Sequence, residues 1–267
     1  MFASLWANRS LVHQILIREI QRRYRGSLMG FVWSIITPLL MLATYTFVFQ
    51  YVFQARWGIT TLVGGEETEL PFAIVLFLGL IIHSLIADTL SRSPGLILQN
   101  ANFVKKVVFP LEILSLVNLL SSLFHFLISF VLLLIFVLIS LEHIPVQIFY
   151  LPLVLLPYFF LLLGLGWFLS ALGVFLRDIE HIMGTLVMLM LFLSPVFFSV
   201  GRLPENIQTF IWLNPIAVIV ENARMVVLYG QAPDFQALGI YSLCAITITC
   251  TAYHFFRKMR PGFADVV

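Results

Sequence analysis

Residues 17–30 read IREIQRRYRGSLMG, and this stretch decides the fold. Four arginines, Arg18, Arg22, Arg23 and Arg25, stop abruptly at Gly26, and the thirty residues 26–55 that follow carry no charge. A basic segment running into an apolar tract long enough to cross a bilayer predicts an integral membrane protein. Cations gather on the cytoplasmic side of membrane helices, so the N-terminus is expected inside. Upstream, Leu11, Val12, Ile15, Leu16 and Ile20 form one stripe at helical spacing, and Arg18, Arg22 and Arg25 form another. That is the pattern of an amphipathic helix lying along the inner interface. Gly26 and Gly30, at G-x-x-x-G spacing, permit a bend or a close helix approach where the chain turns inward.

Composition agrees. The chain has 267 residues, 61% hydrophobic and 10% charged, whereas a soluble domain is roughly 25% charged. A water-soluble core of this length has no room for so much apolar surface. Cys244 and Cys250 lie about 240° apart around one helix, so they cannot pair within it, and no metal spacing is present. No cleavable signal peptide is expected, because the arginines precede a full-length span. No nucleic-acid partner is expected.

Charge-free tracts set the organisation. The expected fold class is an all-α integral membrane protein with six transmembrane helices, at 30–53, 71–88, 111–140, 152–176, 181–200 and 236–256, in a single domain over 1–267. Residues 1–29 hold the N-terminal interface helix, 89–110 a cytoplasmic loop, and 201–234 an external re-entrant helical hairpin. The hairpin reading rests on the tract 206–220, which is too short to span and has Asn214-Pro215 in its middle, a turn signal. Six spans put both termini on one side, and the basic residues choose which. Arg9, the four junction arginines, Arg92, Lys105, Lys106, Arg177, Arg257, Lys258 and Arg260 fall on the expected cytoplasmic side; Arg56, Arg202 and Arg224 fall outside. The outer side collects Glu66, Glu67, Glu69, Glu142, Glu205, Glu221 and Asp234.

Four features bear on function. The basic helix is either a topology anchor or a mobile gate. The segment 88–110 reads DTLSRSPGLILQNANFVKKVVFP; Ser93-Pro94 looks like a helix start, with Ser as cap and Pro at the first helical position. Leu96, Ile97 and Phe103 would then give a cytoplasmic loop enough apolar surface to dock on a partner. Tyr45, Phe49 and Phe53 share one face of span one, and Phe192 and Phe197 flank Ser194-Pro195 in span five. Such rings suit either helix packing or a track along which sugars stack. Finally, the spans hold no carboxylate at mid-membrane, which argues against ion coupling, so energy must come from elsewhere. Glu221 and Arg224, three apart, are expected to pair.

Enzyme signatures are weak. His83 and Asp88 have the spacing of a glycerolipid acyltransferase motif, but about 140° separates them on a helix. No G-x-S-x-G or Walker A loop occurs, and no soluble segment is long enough for a catalytic or nucleotide-binding domain.

Several motifs, in order, carry a resemblance. Residues 18–38, REIQRRYRGSLMGFVWSIITP, resemble the opening segment of permease subunits of polysaccharide-exporting ABC transporters. Residues 102–110, NFVKKVVFP, are similar to that family's first cytoplasmic loop, and 175–178, FLRD, to its loop before span five. Ser194-Pro195, Leu203-Pro204 and Asn214-Pro215 resemble its external re-entrant region, and Phe255-Phe256 through 263–265 its C-terminus. The resemblance implies a half-transporter that works as a homodimer in the bacterial inner membrane, bound by two copies of a separate cytoplasmic ATPase. That ATPase would hold ATP and Mg; this chain would bind no cofactor or metal and would not be an enzyme. The resemblance makes Arg18, Arg22, Arg23, Arg25, Gly26 and Gly30 a gate that meets membrane lipid headgroups. Ser93, Pro94, Leu96, Ile97, Asn100 and Phe103 become the ATPase coupling surface, and Tyr45, Phe49, Phe53, Phe192 and Phe197 line a channel. The implied substrate is a polyprenyl-linked glycan. O-antigen exporters look nearest; capsule and teichoic acid exporters, and drug or lipid permeases of the same architecture, stay open.

Overall fold

A computed structural model describes residues 8–54, 60–63, 66–69, 71–105 and 109–266. Arg56, Trp57 and Lys106 lie outside the described residues. The described residues are mainly helical, as expected, with one small hairpin among them. Helix α1 covers Arg9–Tyr24. After a 3₁₀ turn at Gly30–Val32, α2 covers Trp33–Thr46 and runs on through a π-helical turn at Phe47–Val52. Strands β1 (Thr60–Val63) and β2 (Glu66–Glu69) pair antiparallel, Thr60 opposite Glu69. Then come α3 (Phe72–Arg92), the short α4 (Leu96–Gln99) and α5 (Ala101–Lys105), α6 (Glu112–Leu141) and α7 (Leu151–Phe175). The chain closes with α8 (Ile179–Phe192), α9 (Glu205–Trp212), α10 (Ala217–Val227), α11 (Phe235–Met259) and α12 (Phe263–Val266).

Five helical stretches are long and apolar enough to cross a membrane: Gly30–Phe49, Phe72–Arg92, Glu112–Leu141, Val146–Phe175 and Phe235–Val266. They match five of the six expected spans. The expected span at 181–200 is a shorter object. Helix α8 has 14 residues, about 21 Å at 1.5 Å per residue, against roughly 30 Å of hydrocarbon. Ser194-Pro195 ends it, because a residue before proline is pushed out of the helical region. Beyond it, α9 and α10 meet at 95° around Asn214-Pro215. Asn214 makes that turn with both ends of its amide: Nδ2 donates to the Met190 carbonyl at 3.0 Å, and Oδ1 accepts from the Ile216 N–H at 3.0 Å.

Helix α3 is the hub. Fifteen of its 21 residues are buried, on every side, as a helix apolar all round should be. Lipid tails are as apolar as leucine, so close packing and interhelical hydrogen bonds must hold such a bundle. Asn118 of α6 donates to the Thr89 carbonyl of α3 at 3.0 Å, and Tyr158 of α7 to the Ile82 carbonyl at 3.1 Å. Trp167 of α7 donates to the Glu112 carbonyl at 2.9 Å, beside the Ser115–Ser170 hydroxyl pair at 3.3 Å. Small residues let backbones approach: a Cβ added at Gly164 of α7 would lie 2.8 Å from Thr249 Cα of α11, and one at Gly173 would overlap the Pro94 carbonyl. By contrast α2 buries only Ser34 and Leu42, and α8 only Met183.

The two ends of the bundle differ. At one end Arg260 meets Glu112 (3.5 Å) and the Phe109 carbonyl (3.0 Å), and Phe263 packs on Phe256 and Phe175. The termini α1 and α12 both lie against it. At the other end Tyr150 packs on Phe235, and the Asp234 N–H donates to Asn222 at 2.7 Å.

Replacing Gly164 by Leu should destabilise the bundle by about 1–3 kcal/mol, the usual cost of overpacking. Thermal unfolding in detergent reads this as a lowered midpoint; an unchanged midpoint would remove the α7–α11 contact from the packing account.

Candidate functional site

The junction arginines divide into two sets. Arg23 turns inward, and its Nη2 meets Asp88 Oδ2 at 2.6 Å. Asp88 sits in the last turns of α3 and also takes Arg92 Nε at 2.9 Å and the Ser122 hydroxyl of α6 at 2.6 Å. Arg92 reaches back to Glu19 of α1 at 3.4 Å, and Glu19 meets Arg22 at 3.2 Å. Next door, the Tyr24 hydroxyl lies 3.0 Å from His125 Nδ1 on α6. Burial lowers the pKa of the Arg23 guanidinium, an effect Asp88 opposes; a guanidinium stays charged in proteins all the same. Arg18, Arg22 and Arg25 are exposed. With Ile20, Gln21, Tyr24 and Phe31 they line an open cleft of about 790 Å³. Gly26 and Gly30 take positive φ of 86° and 50°. Gly26 lets the chain leave α1 and Gly30 lets it enter the turn before α2, a conformation other residues adopt with strain.

The segment 88–110 departs from expectation at Ser93. Ser93 does not cap a following helix. It closes α3: its N–H donates to the Leu90 carbonyl and its hydroxyl to the Thr89 carbonyl at 2.7 Å. The reason is that α3 runs five residues past the charge-free tract, because Asp88 and Arg92 pair with each other and with α1. Ser93, Pro94 and Ile97 are buried within the chain against α7 and α6, so they are not free to dock. Leu96, Asn100 and Phe103 are half-buried; Asn100 donates to the Leu96 carbonyl, and Phe103 stacks on Phe109 at 4.5 Å. Gln99 and Asn102 are the exposed positions of 93–103.

The five aromatic candidates are brought together. Tyr45 and Phe49 stack at 6.3 Å, and Phe53 follows at 5.8 Å from Phe49. Phe197 stacks on Phe49 at 5.4 Å and on Phe192 at 5.7 Å. Phe72 of α3 closes the group at 5.6 Å from Phe49. Phe53 and Phe192 at its two ends are exposed. The rings therefore join α2 to the end of α8 in one continuous ladder.

Other residues carry roles that spacing did not show. Glu221 and Arg224 pair at 2.9 Å, as expected, but Arg224 is fully buried and also donates to the Val196 carbonyl at 3.1 Å. It ties α10 to the turn after α8. A lone arginine in an apolar run, with an acid three residues before it, was the available signal. His83 and Asp88 do not meet: His83 Nε2 faces the Val187 carbonyl at 3.1 Å. Among the described residues no group of His, Cys, Asp and Glu could hold a metal.

A bundle of several long apolar helices with an ionic joint at one end is the architecture of an integral membrane protein. The chain belongs to the ABC-2 type transporter family, which it matches over residues 10–228. It is similar to the O-antigen export system permease protein RfbA of Klebsiella pneumoniae, 24% identical over 94% of this chain and 92% of that one. It is also similar to the capsule polysaccharide export inner-membrane protein CtrC of Neisseria meningitidis serogroup B, 24% identical over 97% and 94%. The polysialic acid transport protein KpsM of Escherichia coli is 23% identical over 91% and 92%.

Changing Asp88 to Asn leaves Arg23 half-buried without its carboxylate. Hydrogen bonds to charged groups contribute about 1.5–3 kcal/mol, so hydrogen exchange across 9–24 should quicken at least tenfold. Exchange unchanged in α1 would mean that Asp88 does not hold it.

Proposed function

We propose that this chain is the membrane-spanning subunit of an ATP-driven exporter that moves a lipid-linked polysaccharide, most readily O-antigen, from the cytoplasmic to the outer face of a bacterial inner membrane. The observation that carries the reading is the likeness, over more than nine-tenths of the chain, to permeases named for O-antigen, capsule and polysialic acid export. In this reading two copies of the chain assemble, both termini are cytoplasmic, and two copies of a separate ATPase subunit bind ATP and Mg beneath them. α1 is an interfacial helix, and the bent pair α9–α10 forms an external re-entrant cap on the short α8.

The geometry supports a route for the force. The ATPase would press on 94–105 through the exposed Gln99 and Asn102 and the half-buried Leu96, Asn100 and Phe103. That segment is the direct continuation of α3, and Pro94 is wedged against Gly173 of α7. Four residues upstream of Arg92, Asp88 holds Arg23, so a displacement of the α3 terminus carries α1 with it. The gate helix and its elbow at Gly26 and Gly30 then move together. α2 and α8, which bury only two residues and one, are free to face a second copy across a channel. The ladder Tyr45, Phe49, Phe53, Phe192 and Phe197 lies between them, offering π-faces to sugar rings. Arg18, Arg22 and Arg25 face the inner interface, where each basic residue attracts anionic lipid by about 1 kcal/mol; a diphosphate-linked carrier fits that cleft.

Deleting the gene should make polyprenyl-linked glycan accumulate inside the cell while its synthesis continues. Restoring the chain with Arg18, Arg22 and Arg25 changed to Gln should leave assembly intact and lower export about tenfold or more. Absence of any intracellular glycan after deletion would sink the export reading, and full export by the triple variant would sink the headgroup role.

A further inference from the structure

The last long helix does not need the residues that follow it. The 25 residues of α11 reach about 37 Å, more than the roughly 30 Å of hydrocarbon. Thr249 already seats α11 on α7: its hydroxyl donates to the Phe160 carbonyl at 2.6 Å, beside Gly164. Yet the chain turns through Arg260–Gly262 into α12 and there buries a large side chain. Phe263 is fully buried, its ring 5.5 Å from Phe256 of α11 and 6.0 Å from Phe175 at the end of α7. Chain ends fray unless something ties them down, and Phe263 ties this one.

The place where it is tied is the second half of the segment 94–105. The first half is held by α7: Pro94 closes on Gly173, and α4 lies along α7 with Ile97 buried. α5 lacks that support. It has five residues, far fewer than the roughly 12–15 at which an isolated helix is even marginally stable. It lies chiefly against two elements, its neighbour α4 and the C-terminal α12. Just beyond α5 the tail takes hold again. Arg260 Nη2 donates to the Phe109 carbonyl at 3.0 Å, and Nη1 reaches Glu112 of α6 at 3.5 Å. Phe109 stacks on Phe103 of α5 at 4.5 Å. Arg260 and Phe263 therefore hold α5, Phe109 and the first turn of α6 against the end of α7.

Resting on the export reading above, we propose that Arg260 and Phe263 are positioning residues for the coupling step, and that the C-terminal tail backs α5 so that a push from the ATPase passes into α3 and α6. Gln99 and Asn102, the exposed positions of 93–103, stand on either side of the α4–α5 junction. A push there bears on both short helices. α4 is backed by α7, and α5 is backed by the tail. With the tail in place, α4 and α5 move together with the end of α3. Without it α5 yields, and the displacement is spent inside the loop. The mark of that failure is uncoupling: ATP is hydrolysed and glycan does not move.

The test uses the full chain with its ATPase subunit, at matched membrane levels. Phe263→Ala empties the anchor, Arg260→Met removes the donors but keeps the stem, and Phe263→Leu refills the anchor. In the purified complex, hydrogen exchange over 101–105 should quicken about tenfold or more in the first two variants, with exchange in α11 unchanged. Export should fall about fivefold or more as the fraction of complexes with α5 in place falls, while ATP hydrolysis per complex is retained. Phe263→Leu should restore both exchange protection and export. Exchange over 101–105 unchanged in both Phe263→Ala and Arg260→Met would overturn the proposal, as would full export by both. Equal losses of export and hydrolysis would place the tail in ATPase docking and would overturn it too. If Phe263→Ala does not assemble, Arg260→Met decides by the same criteria. No export by the unchanged chain, with no glycan accumulating on gene deletion, would instead overturn the export reading, and exchange over 101–105 would still decide whether the tail holds α5.

Discussion

Asp88 is a single carboxylate near the C-terminal end of the buried helix α3, and it holds two guanidiniums and a hydroxyl. Taking a charge out of water is costly unless it is paired and hydrogen-bonded. Asp88 and Arg23 meet that condition only together, and only where α1, α3 and α6 converge. The placement of α1 follows from this. The Arg23–Asp88 contact and the Tyr24–His125 contact fix it to one spot and one rotation. The elbow at Gly26 and Gly30 and the path of α2 depend on that placement.

Much of the fold was legible in the sequence because a bilayer turns hydropathy into length. Five long helices fall where charge-free tracts of sufficient length predict them, and Asn214-Pro215 turns the chain between two short helices as its chemistry requires. What escaped was set by tertiary partners. α3 continues through Asp88 and Arg92 to Ser93 because those charges find each other and Arg23; counted as bare charges, they look like the start of a loop. The apolar residues of 93–103 read as a sticky surface, yet Ile97 and Pro94 stick to the chain's own α7. α8 reads as a full span because 181–200 is apolar throughout, but Ser194-Pro195 ends it after 14 residues and Arg224 pins the turn that follows. The β1–β2 hairpin has too few residues for an alternating pattern to stand out.

The candidate site shows the same division. Residue types were readable: arginines at a membrane junction, aromatics at helical spacing, an acid and a base three apart. Their grouping was not. The five aromatics form one ladder only because the end of α8 folds back beside α2. Helical spacing already sets Arg23 apart from Arg18, Arg22 and Arg25, at about 100° per residue, but not the carboxylate 65 positions away that it meets. Tyr24 and His125 are 101 positions apart, a pairing no local pattern announces.

The bundle therefore separates into a closely packed part, α3 with α6, α7 and α11, and a less covered part, α2 and α8, with the ionic contact at the Asp88 end. That division suits a permease in which force enters at 94–105 and leaves through α1. The most direct measurement is a double-mutant cycle on glycan export, using Arg23→Gln, Asp88→Asn and the double variant at matched membrane levels. If the contact transmits the force, each single change lowers export and the double variant is no worse than the poorer single, since both remove one interaction. If the two losses multiply, Arg23 and Asp88 act separately and the coupling account is wrong.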